Sequence, residues 1–488
     1  MSEPARRPGS PERTDAAGHG EAATAAPVGR KVTADLLARY DQAGPRYTSY
    51  PTAVEFGNSV TVDLYKERLA EANRLAGEPL SIYVHLPFCE ERCLFCGCHV
   101  IITPHHDRSL PYLDLLAREV ELVAERLPDR RGVSQLHLGG GTPTYYRPSE
   151  MARMLDHLLR FFHPVEDAEL AVECDPRVTT PEHLDTLAVR GFNRISFGVQ
   201  DFTPKVQEAV GRVQSIEETR ALMEHARQRG FRGINVDLIY GLPHQTPKTF
   251  EKTVETVIEL GADRCAVYSF AFVPWIRGHQ KKLMEDALPA REVKFGLFAL
   301  ARERFLRAGY VSIGMDHFAL PSDELARARA EHRLRRNFQG YTVIPATDVI
   351  GIGISSIGDV RGTYVQNEKK LSRYEEAVTA GELPLERGVM RSADDELRRA
   401  VIHELMCNFR VEIAAVEAEF GIDFRRYFAE ELKRLEPHRH EGLVELENGR
   451  ILATPTGELF IRNIALCFDR YWWEKHADDD HPVFSRTV

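Results

Sequence analysis

Four of the eight cysteines crowd into one short stretch, Cys89, Cys93, Cys96 and Cys98, while Cys174, Cys265, Cys407 and Cys467 lie far apart. The spacing C-x3-C-x2-C of the first three offers three thiolates from a single loop, a ligand set for an iron-sulfur cluster or for zinc. On a four-iron cluster three ligands leave one iron open to an external group, much as a catalytic zinc keeps one position free. Counting Cys98 would instead allow a closed four-thiolate zinc site. A C-x-C pair in an extended segment sends its side chains to opposite sides, which argues against closure. Other chemistry-bearing residues are Gly139-Gly140-Gly141-Thr142-Pro143, Glu173-Cys174-Asp175-Pro176, Gln200 and Asp237. His85 and His99 flank the cysteine loop and could move protons. The run Pro104-His105-His106-Asp107 reads as a solvated turn.

The elements that must position these groups alternate from about residue 78 onward. Strands are expected at LSIYVHL, SQLHLG, AELAVEC, RISFGVQ, GINVDLIYG and RCAVYSFAF, each followed by turn residues and then a helical pattern. Thr180-Pro181 and Thr246-Pro247 mark two of the helix starts. Repeated βα units imply a parallel sheet, doubly wound or bent into a full or partial barrel, with chemistry at the carboxyl ends of the strands. The unusual residues obey that rule. The cysteines follow the first strand, the glycines the second, Glu173 closes the third, Gln200 the fourth, and Asp237 and Ala271 belong to the fifth and sixth. Beyond the repeats come the helix VKFGLFALARERFLRAG, a Gly-rich stretch over 350–359, and a mainly helical, winged-helix-like C-terminal region. That region includes the helices DDELRRAVIHELMCNF and FRRYFAEELKRLEPH and the hairpin GLVELENGRILATPTG.

The chain has 488 residues, 43% hydrophobic and 28% charged, with a formal net charge of -10. Bulk charge of that sign disfavours nucleic acid and anionic lipid, and no long uncharged apolar run suits a membrane span. An anionic ligand must therefore meet specific local cations. Residues 1–30, rich in Ala, Pro, Gly and charge, read as a disordered extension without a signal peptide. A reducing cytoplasm is the expected setting.

These residues also carry a resemblance. CxxxCxxC after a first strand and GGGTP after a second resemble the radical S-adenosylmethionine (SAM) superfamily. RYTSYPT, YVHLPFCEERCLFCGC, LHLGGGTPT, FGVQDF, NVDLIYGLP, GMDHF, NFQGYT, CNFR and the terminal FSR resemble the oxygen-independent coproporphyrinogen III oxidases (dehydrogenases) of haem synthesis, over nearly all of the chain from about residue 40. The resemblance implies a partial (β/α)6 barrel over 78–375, an N-terminal arm over 31–77 and a mainly helical domain over 376–488. It implies a [4Fe-4S] cluster on Cys89, Cys93 and Cys96 whose fourth iron is chelated by SAM. One-electron reduction then yields a deoxyadenosyl radical that attacks the β-carbon of a propionate. Two propionates of coproporphyrinogen III lose CO2 and become vinyl groups, giving protoporphyrinogen IX. The same resemblance places Tyr83, Phe95, Gly140, Glu173 and Ile357 around this SAM, and Gly141, Thr142, Gln200, Arg212, Asp237 and Ala271 around a second. Arg46, His85 and Cys98 stand as substrate or catalytic candidates. The implied partners are a reductant such as flavodoxin or ferredoxin and an electron acceptor, acting on a monomer. Two other readings stay open at this level: a haem-delivering relative and a structural zinc protein.

Overall fold

The computed structural model describes residues 32–344 and 348–475; the expected extension over 1–30 and the terminal FSR segment lie outside the described residues. Six strands stand where the sequence placed them: β1 Leu80–Leu86, β2 Gly132–Gly140, β3 His163–Cys174, β4 Arg194–Gln200, β5 Gly233–Tyr240 and β6 Arg264–Ser269. Each pairs in parallel with the next. Parallel neighbours need crossover connections, supplied by the helices Leu110–Arg126, Pro148–Phe161, Pro181–Val189, Ile216–Gln228 and Pro247–Glu259. Thr246 illustrates how these helices start: its hydroxyl accepts the Thr249 amide at 3.3 Å, with Pro247 in the first turn.

Alternation along the strands sorts two faces. In β4, Ile195, Phe197 and Val199 join the main apolar core, whereas Ser196, Gly198 and Gln200 line a cavity on the other side. In β5, Ile234, Val236 and Leu238 do the same opposite Asn235 and Asp237. The register brings the polar residues side by side, Tyr83 next to His137, Glu173 next to Ser196, and Gly198 next to Asp237. A slip of one residue would carry Asp237 into the apolar layer and expose the aliphatic set, each member of which stabilises burial by about 1.5–3 kcal/mol. The polar lining is therefore fixed by the apolar face.

Both edges of the six-strand unit are extended, to twelve strands in all. Val349–Ile352 joins β1 in parallel, followed by antiparallel Ile357–Val360, Thr363–Asn367 and Leu385–Met390. Thus the Gly-rich stretch continues the wall beside β1, and the sheet runs past residue 375 to Met390. His317–Ala319 and Val311–Gly314 close the other edge beyond β6.

The helix Ala393–Asn408 opens the C-terminal region, which adds a three-stranded sheet of Arg410–Glu412, Arg450–Ala453 and Val444–Glu447. The expected hairpin is the last pair, turning at Asn448 and Gly449, both with positive φ. FRRYFAEELKRLEPH forms two helices, Phe424–Tyr427 and Ala429–His440, because Phe428 leaves helical geometry to bury its ring against Phe424 and Phe468. A second apolar cluster joins Leu36, Tyr47 and Tyr50 to Leu397, Val401 and Phe468, whereas Tyr65 and Leu69 belong to the main core. The N-terminal arm is therefore shared between the two cores. Among the described residues no helix is long and apolar enough to cross a membrane.

Candidate active site

The cysteine loop starts two residues after β1. Its base is closed by the short parallel pairing of Phe88–Cys89 with Ile101–Ile102, and its tip by the Leu94 amide on the Val210 carbonyl at 2.9 Å. Two side chains from beyond β6 fix the loop backbone: His279 Nε2 meets the Cys96 carbonyl at 2.9 Å, and Gln280 Nε2 donates to the carbonyls of Phe95 and Ala271. Cys89, Cys93 and Cys96 line one cavity of about 690 Å³ together with Gly140, Gly141, Thr142, Glu173, Gln200, Arg212 and Asp237. Six strand ends thus converge, as the sequence implied.

Donors surround the sulfurs. Cys93 Sγ receives Arg212 Nη1 at 3.5 Å and Arg177 Nη2 at 3.6 Å. Cys96 Sγ receives the Cys98 amide at 3.4 Å, and Cys89 Sγ lies 3.3 Å from the Thr142 hydroxyl. Hydrogen bonding from Cys98 opposes burial and pulls the Cys96 thiol down to about 6, with Arg92 and Arg212 adding to the effect. Burial, reinforced by Cys96, Cys93 and Asp175 and opposed by the Thr142 hydroxyl, pushes Cys89 up to about 11.

The expectation for the C-x-C pair is corrected here. Cys98 lines the same cavity as Cys96, because residues 96–98 form no strand and the Cys98 amide folds back onto Cys96 Sγ at 3.4 Å, so the two side chains do not diverge. The glycines are also required by the protein's own packing. Gly140 has φ +115°, and a Cβ there would lie 2.6 Å from the His85 ring; at Gly141 it would lie 2.5 Å from the Pro87 carbonyl. Protein packing at the root of the cysteine loop requires both.

Glu173 accepts His137 Nε2 at 3.2 Å and the Gly140 amide at 3.2 Å, and its side chain remains 45% exposed to the cavity. Burial would raise its pKa, but the hydrogen bond and charge of His137 outweigh it and hold the carboxyl below its ordinary value. Tyr83 flanks it, with its hydroxyl 3.1 Å from His85 Nδ1 and its ring beside His137. Ile357 begins the strand packed on Gly351, the register partner of Tyr83.

On the other wall Arg212 is buried, not a solvated surface arginine, and binds Asp175 at 2.8 Å and the Gly198 carbonyl at 2.6 Å. Asp237 accepts Ser196 at 2.9 Å and Asn235 at 2.8 Å, and burial pushes its carboxyl up to about 6. Gln200, at φ +69°, keeps a buried Oε1 without a hydrogen-bond partner. Ala271 lies just past β6, its carbonyl taken by Gln280.

The three remaining candidates sit differently. His85 is buried, with its ring nitrogens against Tyr83 and the His99 carbonyl, and burial lowers it to about 4, so the ring is neutral near pH 7. Arg46 pairs with Asp316 and lies over Tyr268, so its charge is already answered. In the histidine run, His106 lies 2.8 Å from Glu150 in a helix-start contact. Sequence reasoning passed over His137, Arg177, Ser196, Asn235, His279 and Gln280. The alternation in RISFGVQ and GINVDLIY was the available signal for Ser196 and Asn235; His279 and Gln280 left none.

Comparison with known proteins gives one answer. The Radical SAM superfamily model matches residues 83–257 and the HemN C-terminal domain model residues 392–460. The chain is 44% identical to the oxygen-independent coproporphyrinogen III oxidase of Pseudomonas aeruginosa over 440 residues, 90% of this chain and 95% of that one. It is equally identical, 44% over 453 residues, to the protein of that name from Escherichia coli K12, covering 93% of this chain and 98% of the other. The solved structure of coproporphyrinogen III oxidase (HemN) from Escherichia coli, described as a radical SAM enzyme, matches with a TM-score of 0.84 at 43% identity over 87% of this chain and 97% of that one. Taken with six strand ends converging on a three-cysteine loop, these matches show that the chain belongs to the radical SAM superfamily and, within it, to the oxygen-independent coproporphyrinogen III oxidases.

Proposed function

We propose that Cys89, Cys93 and Cys96 hold the [4Fe-4S] cluster of this enzyme type and that the cavity beside them seats SAM, so that propionates of coproporphyrinogen III are oxidatively decarboxylated to vinyl groups. The observation that carries the assignment is the convergence of three free thiols and an ionised Glu173 on one cavity at the strand ends. When bound, the reduced cluster and SAM supply a carbon-centred radical strong enough to take hydrogen from a propionate.

The protein's own residues bind and orient. Glu173 accepts the methionyl ammonium, with Tyr83, Phe95, Gly140 and Ile357 around the same molecule. Gly141, Thr142, Gln200, Arg212, Asp237 and Ala271 form a second SAM seat, where the unpartnered Gln200 Oε1 awaits a donor. Arg177 and Arg212 direct positively charged N–H groups at Cys93 Sγ, which would favour a more readily reduced cluster. The electron enters from a flavodoxin- or ferredoxin-like donor on the face outside the cysteine loop, where exposed Arg92 and Lys282 both act on His279, the residue that holds the Cys96 carbonyl. Eight free cysteines fit a reducing cytoplasm.

The test is anaerobic reconstitution. Brown protein with about four irons per chain that forms protoporphyrinogen IX from coproporphyrinogen III, SAM and reductant supports the assignment. Colourless zinc protein, or haem uptake without turnover, overturns it.

A further inference from the structure

Three cavities run in series through the sheet and out to the C-terminal region. The cluster cavity opens through Glu173, Ser196, Asp237 and Tyr268 into a narrow space of about 140 Å³. That neck shares Gln135, Asn337, Gln339 and Thr342 with an outer cavity of about 630 Å³, nearly the size of the first. The divider is the hairpin over 335–342, which contains the NFQGYT segment. Its strands Arg335–Asn337 and Gly340–Thr342 pair with each other alone, and Gln135 ties it to the sheet through Thr342 Oγ1 at 2.6 Å.

The outer cavity is lined by arginines and aromatic rings, among them Arg335, Arg336, Arg391 and Arg399 with Phe338 and Tyr364. Their charges are unequally used. Arg391 is committed to Asp359 and Glu396, both at 2.7 Å. Arg399 reaches Asp359 only at 3.7 Å and Glu396 at 3.8 Å, donates Nε to the Tyr364 hydroxyl at 3.2 Å, and has its side chain 40% exposed. Arg336 has no ion pair among the described residues: it touches Met315 Sδ at 3.5 Å, stacks on Tyr341, and keeps its buried Nε without a hydrogen-bond partner. Gln339 Oε1, at the neck, is likewise buried and unpartnered. Of the acids on the same cavity, Asp359 meets Arg391, Glu412 meets Arg450 at 2.8 Å and Glu404 takes the Asn408 amide at 2.8 Å, while Glu419, on the helix Ile413–Phe420, has no ion pair among the described residues. His403 reports the local field. Its Nε2 accepts the Arg336 amide, and burial together with Arg399, Arg335 and Arg336 lowers it to about 3.

We propose that this outer cavity is the seat for the carboxylates of the porphyrinogen that are not reacting, held by Arg336 with Arg335 and Arg399, while one propionate reaches through the neck toward the cluster cavity. The inference rests on the proposed function, since a four-propionate substrate is what demands so many uncommitted guanidinia in an acidic protein. It also accounts for Arg46, whose charge is spent on Asp316. Guanidinium and carboxylate match in a two-point geometry that lysine does not reproduce.

The experiment uses the anaerobically reconstituted holoenzyme and two probes, coproporphyrin III with four propionates and an etioporphyrin with the same ring and none. Fluorescence titration should show Arg336→Ala/Arg399→Ala binding coproporphyrin about tenfold or more weakly, with etioporphyrin binding, iron content and KM for SAM unchanged. Arg336→Lys should recover part of the loss. The exposed Arg399→Gln alone, which leaves the fold intact, should weaken coproporphyrin about threefold. Parental affinity in these variants, or an equal loss for both probes, overturns the proposal. If the parent binds coproporphyrin through these arginines yet never turns over the porphyrinogen, the functional assignment fails and the binding seat stands.

Discussion

Glu119 offers the sharpest test of how the scaffold supports the site. It lies on the helix Leu110–Arg126, 1% exposed, and accepts hydrogen bonds from the Gly353 amide at 2.7 Å, Asn367 Nδ2 at 2.6 Å and the Tyr374 hydroxyl. Next to it Tyr112 donates to the His85 carbonyl at 2.9 Å and accepts the Ile354 amide at 2.9 Å. The carboxyl therefore locks the turn after Val349–Ile352 to the end of β1, from which the cysteine loop departs. Burial outweighs these hydrogen bonds and pushes its pKa up to about 7. A raised carboxyl pKa means that the folded chain holds the proton more tightly than the unfolded one. The resulting stability is complete below about pH 4.5 and is lost as pH rises through 7.

With an unfolded value near 4.5, linkage gives a loss of about 2.5 kcal/mol between pH 5 and pH 8. Glu119→Gln removes the titration and nearly keeps the shape. Other buried groups titrate over the same range, but they are common to both proteins and cancel in the difference. At about 2.1 cal/mol/K per residue, a chain of this size shifts its Tm by about 1 °C per kcal/mol. The gap in Tm, variant minus parent, should therefore rise by about 2–3 °C from pH 5 to pH 8 in anaerobic scanning calorimetry. A gap that stays flat, or narrows with pH, refutes the argument that Glu119 is buried as a proton-holding carboxyl.

Asp348→Asn should be strongly destabilising, by about 3–5 kcal/mol in urea denaturation, because Arg130 and Asp348 pair at 2.5 Å with both side chains at 0% exposure and the variant strands the guanidinium. Gly141→Ala places a Cβ 2.5 Å from the Pro87 carbonyl and should displace the root of the cysteine loop, read as iron content well below that of the parent after identical reconstitution. Cys98→Ala should retain about four irons while Cys96→Ala does not, and equal loss in the two would mean that Cys98 is a ligand. His279→Ala, by freeing the Cys96 carbonyl, should speed loss of iron to a chelator several-fold without altering KM for SAM.

What could be read from the sequence was what is local. The six parallel strands announced themselves through period-two patterns and turn residues, and the cysteine spacing and strand-end glycines needed no long-range information. The packing around some of those residues was nevertheless hidden. At Gly140 and Gly141, His85 and Pro87 fill the space that a Cβ would need, a contact made by residues about fifty positions away. Arg46 looked like a free cation until Asp316, from the far edge of the sheet, neutralised it. The same limit hid His279 and Gln280, ordinary surface residues in sequence that turn out to grip the cysteine loop.

The polar interior shows why the division falls there. In an ordinary half-buried strand, the polar half of the alternation faces bulk water and carries no message. Here the sheet curls so that the polar half of β2 to β5 faces inward, and His137, Glu173, Ser196 and Asp237 are forced to satisfy one another across strands. Nothing in RISFGVQ alone distinguishes those cases. What distinguishes them is curvature, which depends on twelve strands and two edges, and hence on pairings separated by up to about 270 residues. Catalytic loops can be recognised one at a time, but the chamber they serve exists only once the whole sheet has closed around it.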